Sequence, residues 1–180
     1  MEREERLAAD IVVQHADLDI RELAIEARGR FAQRRQPDTA AAALTGLHVA
    51  IVENPDFRNG LSTSLKCGLQ ALPGDCDGAI VLLGDMPAIT PALIDKLIAA
   101  FDPSEARAIC VAAWKGKRGN PVLWGRQFFA DMLQLEGDVG AKHLMAANGE
   151  LVCEVEAADD APLVDIDTPE ALAVYAARNR

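Results

Sequence analysis

Two short acidic clusters have the residue types and the spacing to do chemistry. Asp85 follows the apolar run at residues 79–83, and Asp165 and Asp167 follow the apolar pair at residues 163–164. A short apolar run bounded by turn residues is typical of a buried parallel strand. Both clusters are therefore predicted at the carboxyl ends of strands, where open α/β sheets bind their ligands.

Carboxylates at neighbouring strand ends form a site of hard oxygen ligands. Such a site suits Mg²⁺ held together with substrate phosphates, and in-line transfer at phosphorus needs an aligned nucleophile and neutralised charge. The pattern therefore favours phosphoryl or nucleotidyl transfer. Because side chains alternate along a strand, we expect Asp165 and Asp167 to point the same way and to share one ion with Asp85. The simpler alternative is that these aspartates are turn residues.

Two further groups of polar residues lie between predicted elements. Ser62 and Ser64 open a predicted helix, where they can hydrogen-bond a ribose or a base, or simply cap the helix. A predicted turn at residues 118–121 offers a cation, an amide side chain and a glycine that permits close backbone approach. Arg118 in this turn is alternatively a solvated surface residue.

The elements that would position these residues alternate between strand and helix. The predicted strands are 49–52, 79–83, 108–113 and 151–155, and the predicted helices are 62–71, 90–101, 125–135, 141–147 and one that Thr168 caps. Thr90 and Thr168 are each followed by proline, which is typical of a helix start. Residues 137–140 form a predicted turn. This alternation predicts a mainly parallel sheet with helices on both faces.

Composition limits the class of protein. The chain has 180 residues, half of them hydrophobic, which suits one domain with a substantial core. A net charge of −10 argues against a general nucleic-acid binder. The sequence contains no C-x-x-C pair, so neither a zinc site nor a redox motif is indicated. The sequence has neither a signal peptide nor about 18 consecutive apolar residues, so we expect a cytoplasmic protein without a membrane partner.

Six motifs, in this order, resemble the MobA-like nucleotidyltransferases, and most closely the molybdenum cofactor cytidylyltransferases among them. They are NPDF at 54–57, GLSTSL at 60–65, LGDMP at 83–87, RGNPVL at 118–123, GDVGA at 137–141 and DIDTPE at 165–170. The resemblance extends from about residue 38 to the C-terminus. It implies a Rossmann-like three-layer α/β/α sandwich of the nucleotide-diphospho-sugar transferase type, with a mainly parallel sheet.

The resemblance also implies a reaction. Molybdopterin would attack the α-phosphorus of CTP, so that CMP is transferred and pyrophosphate leaves. Asp85 and Asp167 would be catalytic, and Asp85, Asp165 and Asp167 would bind Mg²⁺. The positions carried over as contacts to the nucleotide or to molybdopterin are Gly60, Ser62, Ser64, Arg118, Gly119, Asn120, Gly137 and Asp138. A molybdenum-hydroxylase-type enzyme would accept the product, and a homo-oligomer is compatible with this scheme.

The N-terminal part departs from the family pattern. The family opens with a strand and a loop of the form L-x-x-G-x-S-x-R-M-G, whereas residues 1–36 contain a single glycine, Gly29. We therefore divide the chain into a divergent segment at 1–36, non-native or poorly ordered, and an incomplete nucleotidyltransferase domain at 37–180. The lack of a first strand predicts an exposed sheet interior or edge.

Three explanations fit this departure: a truncated or misread start, a degenerate homologue, or a half-site supplied by another chain. Two alternative functions accordingly stay open. One is a catalytically incomplete domain that binds the cofactor or a partner protein without turnover. The other is a guanylyl or sugar-nucleotide transferase of the same fold.

Overall fold

The computed structural model describes residues 11–15, 24–29, 50–137 and 141–178. The division between residues 1–36 and 37–180 lies mostly outside this description, as does the predicted turn beyond Gly137, and Asp138 with it. For the strands before residue 51 only the backbone is described.

One mixed sheet organises the described part of the chain. Its strands are β1 (Ile11–His15), β2 (Ala24–Gly29), β3 (Ala50–Asn54), β4 (Gly78–Leu83), β5 (Ile109–Trp114), β6 (Lys117–Gly125) and β7 (Val152–Glu156). Their order across the sheet is β3-β2-β1-β4-β6-β5-β7. Five strands share one direction, whereas β1 and β6 run against their neighbours. Four of the six ladders between the described strands are antiparallel and two are parallel, so the sheet is mixed where a mainly parallel sheet was predicted.

β1 corrects the expectation of an exposed sheet interior. It lies between β2 and β4 and is antiparallel to both, with Ile11 opposite Ala27 on one side and Leu83 on the other. An interior position of the sheet, beside the central strand β4, is therefore filled. β1 thus supplies ladder partners to both β2 and β4.

Helices follow most strands. They are α1 (Leu61–Gln70), α2 (Pro91–Ala100), α3 (Phe129–Met132), α4 (Lys142–Ala147) and α5 (Pro169–Arg178). Both predicted caps are confirmed, since the Thr90 hydroxyl accepts from the Leu93 N–H at 3.4 Å and that of Thr168 from the Ala171 N–H at 3.1 Å. Among the described residues, no helix is long and apolar enough to cross a membrane.

The predictions around residues 114–135 were wrong in two places. Residues 118–121, predicted as a turn, belong to strand β6, and the actual turn is Lys115-Gly116, where both φ angles are positive, at 50° and 75°. Two consecutive positive φ angles are the geometry of a tight β-hairpin. The predicted helix at 125–135 begins late, because Gly125 still pairs in β6 and a 3₁₀ turn precedes the four-residue α3.

Apolar side chains on the two faces of the sheet form separate cores. On the α1 face the core includes Leu65, Val111 and Trp124. On the α2 face it includes Ile80, Leu97, Leu123 and Val155. Adjacent residues of β6, Leu123 and Trp124, therefore face opposite layers, as pleating requires. The structure is the three-layer α/β/α sandwich that the sequence predicted.

Candidate functional site

Asp85 lies in the turn that follows β4, and one of its carboxylate oxygens is isolated. Among the described residues, Oδ1 is buried and has no hydrogen-bond partner. Burial raises the pKa of Asp85; a backbone N–H hydrogen bond opposes this, and the charges of Asp167 and Asp165 add to the rise. The ionised carboxylate is therefore under-stabilised by the protein alone, which is the condition that a bound cation would relieve.

The acidic segment, defined here as residues 164–167, lies beside Asp85 without forming a strand. A 3₁₀ turn at Ala161–Leu163 precedes it, and residues 164–167 have no regular secondary structure. The prediction of a strand end there was wrong, because the apolar run is too short to build a ladder. The predicted proximity is nevertheless present, since the Ile166 N–H donates to the Asp85 carbonyl oxygen at 2.9 Å.

The donor chemistry of this region fits a hard divalent cation. Asp165 and Asp167 are exposed on either side of the half-buried Ile166, and both carboxylates act electrostatically on Asp85. The three side chains do not surround a common point, since no group of three His, Cys, Asp or Glu residues in the described parts of the chain is placed to hold a metal. The region suits a cation because Asp85 Oδ1 has no hydrogen-bond partner among the described residues and because three carboxylates lie near one another.

The loop between β3 and α1 is organised by a buried asparagine that sequence reasoning missed. Asn54 is 2% exposed. Its Nδ2 group donates to Thr63 Oγ1 at 2.8 Å and to Ser64 Oγ at 2.9 Å, while its Oδ1 accepts from the Asp56 N–H at 3.0 Å. The Ser64 hydroxyl is therefore part of the loop's internal structure. The signal was the motif that begins at Asn54, but its side-chain partners are nine and ten residues away.

Ser62 differs from Ser64 although the two are two residues apart. Its hydroxyl is buried and has no hydrogen-bond partner among the described residues. Its backbone N–H donates to the Gly137 carbonyl oxygen at 3.1 Å. Gly60, which precedes α1, has φ 109°, a conformation that favours glycine. Ser62 is therefore the serine with unused hydrogen-bonding capacity.

Ser62 lines a cavity of about 640 Å³ between α1, α4 and strands β4 to β6. That volume is within the usual range for small-molecule sites. Apolar residues of the three strands, such as Leu83 and Trp124, form much of the wall, and the polar lining residues are Ser62, Arg118, Asn120 and Lys142. The cavity adjoins the acidic region, because Leu83 lies only two residues before Asp85.

The cations of this cavity are Arg118 and Lys142. Arg118 Nε donates to Glu154 Oε1 at 2.7 Å, and both side chains are substantially exposed. Part of the Arg118 charge is therefore balanced by the carboxylate of Glu154 in β7. Lys142 begins α4 and was not predicted, because a single lysine at the start of a short Ala-rich helix forms no recognisable motif.

The structure thus gathers only some of the predicted positions. Ser62, Arg118, Gly119 and Asn120 line the cavity, whereas Gly60 and Ser64 shape the loop beside it. The Asp85 carboxylate and the acidic segment form a second group at the end of β4.

The fold, with a carboxylate after the central strand of the sheet and a ligand-sized cavity beside it, is similar to that of solved nucleotidyltransferases. A nucleotidyl transferase from Methanothermobacter thermautotroptrophicus is 26% identical, with a TM-score of 0.60 over 77% of this chain and 68% of that chain. The chain belongs to the family of the MobA-like NTP transferase domain, whose profile matches residues 7–152. The matched range includes Asp85 and ends before the acidic segment.

Two further relatives share moderate similarity with the chain. The molybdenum cofactor cytidylyltransferase of Escherichia coli (strain K12) is 24% identical over 123 residues, which are 68% of this chain and 60% of that protein. The chain thus spans less than two thirds of that relative. Rv0371C of Mycobacterium tuberculosis H37Rv, solved as a complex with manganese, is 25% identical, with a TM-score of 0.58 over 77% of this chain and 72% of that chain.

Proposed function

We propose that this nucleotidyltransferase transfers CMP from CTP to molybdopterin and releases pyrophosphate. The observation that carries the proposal is the adjacency of two groups: the under-stabilised carboxylate of Asp85 with its acidic segment, and the cavity lined by Ser62 and cationic side chains. The first suits a metal–phosphate group, and the second suits a largely apolar ligand with an anionic end. The similarity to a molybdenum cofactor cytidylyltransferase supports this choice of substrates.

Asp85, Asp165 and Asp167 are the residues that would hold the metal ion, which we propose to be Mg²⁺. Because the three side chains do not surround a common point, they would have to turn towards the ion when it binds. When bound, the ion would neutralise charge that develops on the transferred phosphoryl group. The manganese complex of Rv0371C supports a divalent ion in such a fold. Asp85 and Asp167 are the carboxylates to which we assign the catalytic role.

The chain's other residues bind and orient the substrates. Ser62 Oγ and the Asn120 amide offer hydrogen bonds inside the cavity, while Arg118 and Lys142 attract an anionic phosphate. The apolar wall excludes water from bound substrate, which strengthens these interactions. Gly60 and Ser64 shape the loop beside the cavity. The Gly137 carbonyl oxygen accepts a hydrogen bond from the Ser62 N–H and so helps to place Ser62.

Pyrophosphate release tests the proposed reaction directly. The protein is incubated with CTP, Mg²⁺ and molybdopterin, and we expect pyrophosphate that depends on all three. Replacing CTP with GTP or a sugar-nucleotide precursor pair tests the guanylyl and sugar-nucleotide alternatives. No pyrophosphate above a blank without protein in the mixture with CTP would contradict the proposal, and release in another mixture alone would favour the corresponding alternative.

The competing hypothesis is a domain that binds the cofactor or a partner without turnover. The observation in its favour is that residues 1–36 lack the glycine-rich loop of the family. It predicts very weak CTP binding in calorimetry even with Mg²⁺, and low-micromolar binding would refute it. A cytoplasmic location, transfer of the product to a molybdenum-hydroxylase-type enzyme and a homo-oligomer that completes the site remain parts of the enzymatic proposal.

A further inference from the structure

Gly119 in β6 lies against the turn that leads into the acidic segment. A Cβ atom built on Gly119 would lie 2.6 Å from the carbonyl carbon of Pro162 and 3.0 Å from its Cβ. Contacts this short between a Cβ atom and backbone are essentially not tolerated, so any side chain at position 119 must displace Pro162. The close approach that the sequence assigned to a ligand is therefore made with Pro162.

The turn that contains Pro162 has little freedom to move away. The Pro162 side chain is less than 2% exposed and Ala161 is 5% exposed. The Ala161 N–H donates to Asp159 Oδ1 at 3.1 Å, and the Leu163 N–H donates to the Asp160 carbonyl oxygen at 2.8 Å. The turn is thus held by burial and by its own hydrogen bonds, and Gly119 is the residue that permits its seating on β6.

A displacement of this turn would reach the carboxylates. Three residues separate Pro162 from Ile166, whose N–H is bonded to the Asp85 carbonyl oxygen. A connection of this length spans at most about 14 Å when fully extended, so Ile166 cannot lie far from Pro162. The acidic segment is therefore anchored at one end by the contact between Gly119 and Pro162, and at the other by Asp85.

We infer that Gly119 is a positioning residue for the metal carboxylates: its contact with Pro162 sets where Asp165 and Asp167 lie relative to Asp85. This inference rests on the proposed function, which makes the three aspartates metal ligands. Gly119 also lines the cavity. One residue of β6 therefore borders both the substrate cavity and the support of the acidic segment.

Manganese binding to Gly119→Ala tests the inference without turnover. The full chain is titrated with Mn²⁺ alone, and free Mn²⁺ is followed by electron paramagnetic resonance. Residues that orient metal ligands typically contribute about 10- to 100-fold to metal affinity, so we expect Mn²⁺ to bind at least about tenfold more weakly. The matched control is Gly149→Ala, where a Cβ atom would meet nothing within 4 Å, and it should retain the wild-type affinity.

Circular dichroism confirms that each variant is folded before titration. Should Gly119→Ala not fold, Asp159→Ala tests the same turn, because it removes the acceptor of the Ala161 N–H. Asp160→Ala is its control for the lost charge, since the Asp160 side chain makes no cap hydrogen bond, and only Asp159→Ala should weaken Mn²⁺ binding. In turnover, a positioning role predicts a lower kcat with little change in the KM for CTP. A folded Gly119→Ala or Asp159→Ala protein with wild-type Mn²⁺ affinity would overturn the inference and leave the proposed function standing. A wild-type protein that binds no Mn²⁺ would overturn both.

Discussion

The loop between β3 and α1 and the acidic segment flank the same site, but they are stabilised in different ways. In the loop, the buried Asn54 side chain makes three hydrogen bonds that fix the backbone and the Ser64 hydroxyl. In the acidic segment, a backbone hydrogen bond from Ile166 brings the carboxylates of Asp165 and Asp167 towards Asp85. Burial raises the pKa of Asp85, and the charges of these two carboxylates raise it further.

In the proposed function, this difference separates a preformed part of the site from a part that the bound cation would complete. The loop satisfies its own polar groups, so its geometry does not depend on what binds. The acidic segment concentrates like charges beside Asp85, a repulsion that the proposed cation would relieve. Mutations in the loop should therefore affect stability first, and mutations at the carboxylates should affect function first.

Asp85→Asn should produce the largest effect on function. We expect loss of Mn²⁺ binding and a decrease in pyrophosphate release of at least about a hundredfold, since even residues that only orient metal ligands contribute up to about this much. Calorimetric Mn²⁺ titration and the pyrophosphate assay measure the two effects. Wild-type metal binding in this variant would remove Asp85 from the metal site.

The same variant should be more stable than wild type without metal. The raised pKa of Asp85 means that the folded state binds its proton more tightly than the unfolded state, so the wild type loses stability as pH rises through that raised pKa. Asparagine carries no such charge. In denaturant unfolding, the stability gained by Asp85→Asn should be absent at acidic pH and should grow towards neutral pH. A gain that shrinks as pH rises would contradict a raised pKa of Asp85.

Asn54→Ala should cause the largest loss of stability. It removes three hydrogen bonds and leaves the buried Ser64 hydroxyl without its Asn54 donor, so we expect the free energy of unfolding to fall by about 2–3 kcal/mol. Asn59→Ala is the control, because Asn59 is exposed in the same loop, and it should change stability by less than about 0.5 kcal/mol. Equal effects of the two substitutions would show that the Asn54 network does not hold the loop.

Ser62→Ala and Ser64→Ala should have opposite effects. Ser62→Ala removes a buried, unpartnered hydroxyl, so stability should stay the same or rise by up to about 1 kcal/mol, while CTP or molybdopterin binds about fivefold more weakly. Ser64→Ala removes a partner of Asn54 and should lower stability by about 1 kcal/mol with ligand affinity kept. Denaturant unfolding and ligand titration with Mg²⁺ separate the two, and equal behaviour would refute the distinction.

Glu154→Gln should give the smallest change. Its ion pair with Arg118 is exposed, and such pairs contribute about 0–1 kcal/mol to stability. Removing the Glu154 charge leaves more of the Arg118 charge to act on an anionic ligand, so affinity should rise by up to about twofold at low salt. Weaker binding at low salt would indicate that Glu154 orients Arg118 for the ligand.

Local chemistry explains what the sequence predicted well. At the caps, the hydroxyl of Thr90 or Thr168 accepts a hydrogen bond from the N–H three residues later, so each cap can be recognised from a few consecutive residues. Strands β4 and β5 are short apolar runs that any sheet would bury. The hairpin into β6 was missed, because Lys115 adopts a left-handed conformation that its residue type does not favour.

The candidate site was predictable in its residue types but not in its arrangement. Ser62 and Ser64 have the same side chain, and only the distant Asn54 distinguishes a structural hydroxyl from an available one. Gly119 was recognised as a close-approach position, but its neighbour proved to be Pro162.

The sequence by itself therefore determined the family, the alternation of strands and helices, and the presence of two acidic clusters, because these depend on residue type and short spacing. Only the tertiary structure decided how the clusters meet. Asp85 and the acidic segment are joined by a backbone hydrogen bond across 81 residues of chain, from Ile166 to Asp85. The seating of Pro162 on Gly119 likewise depends on how strands pack, because steric fit between distant segments is set by packing rather than by local sequence.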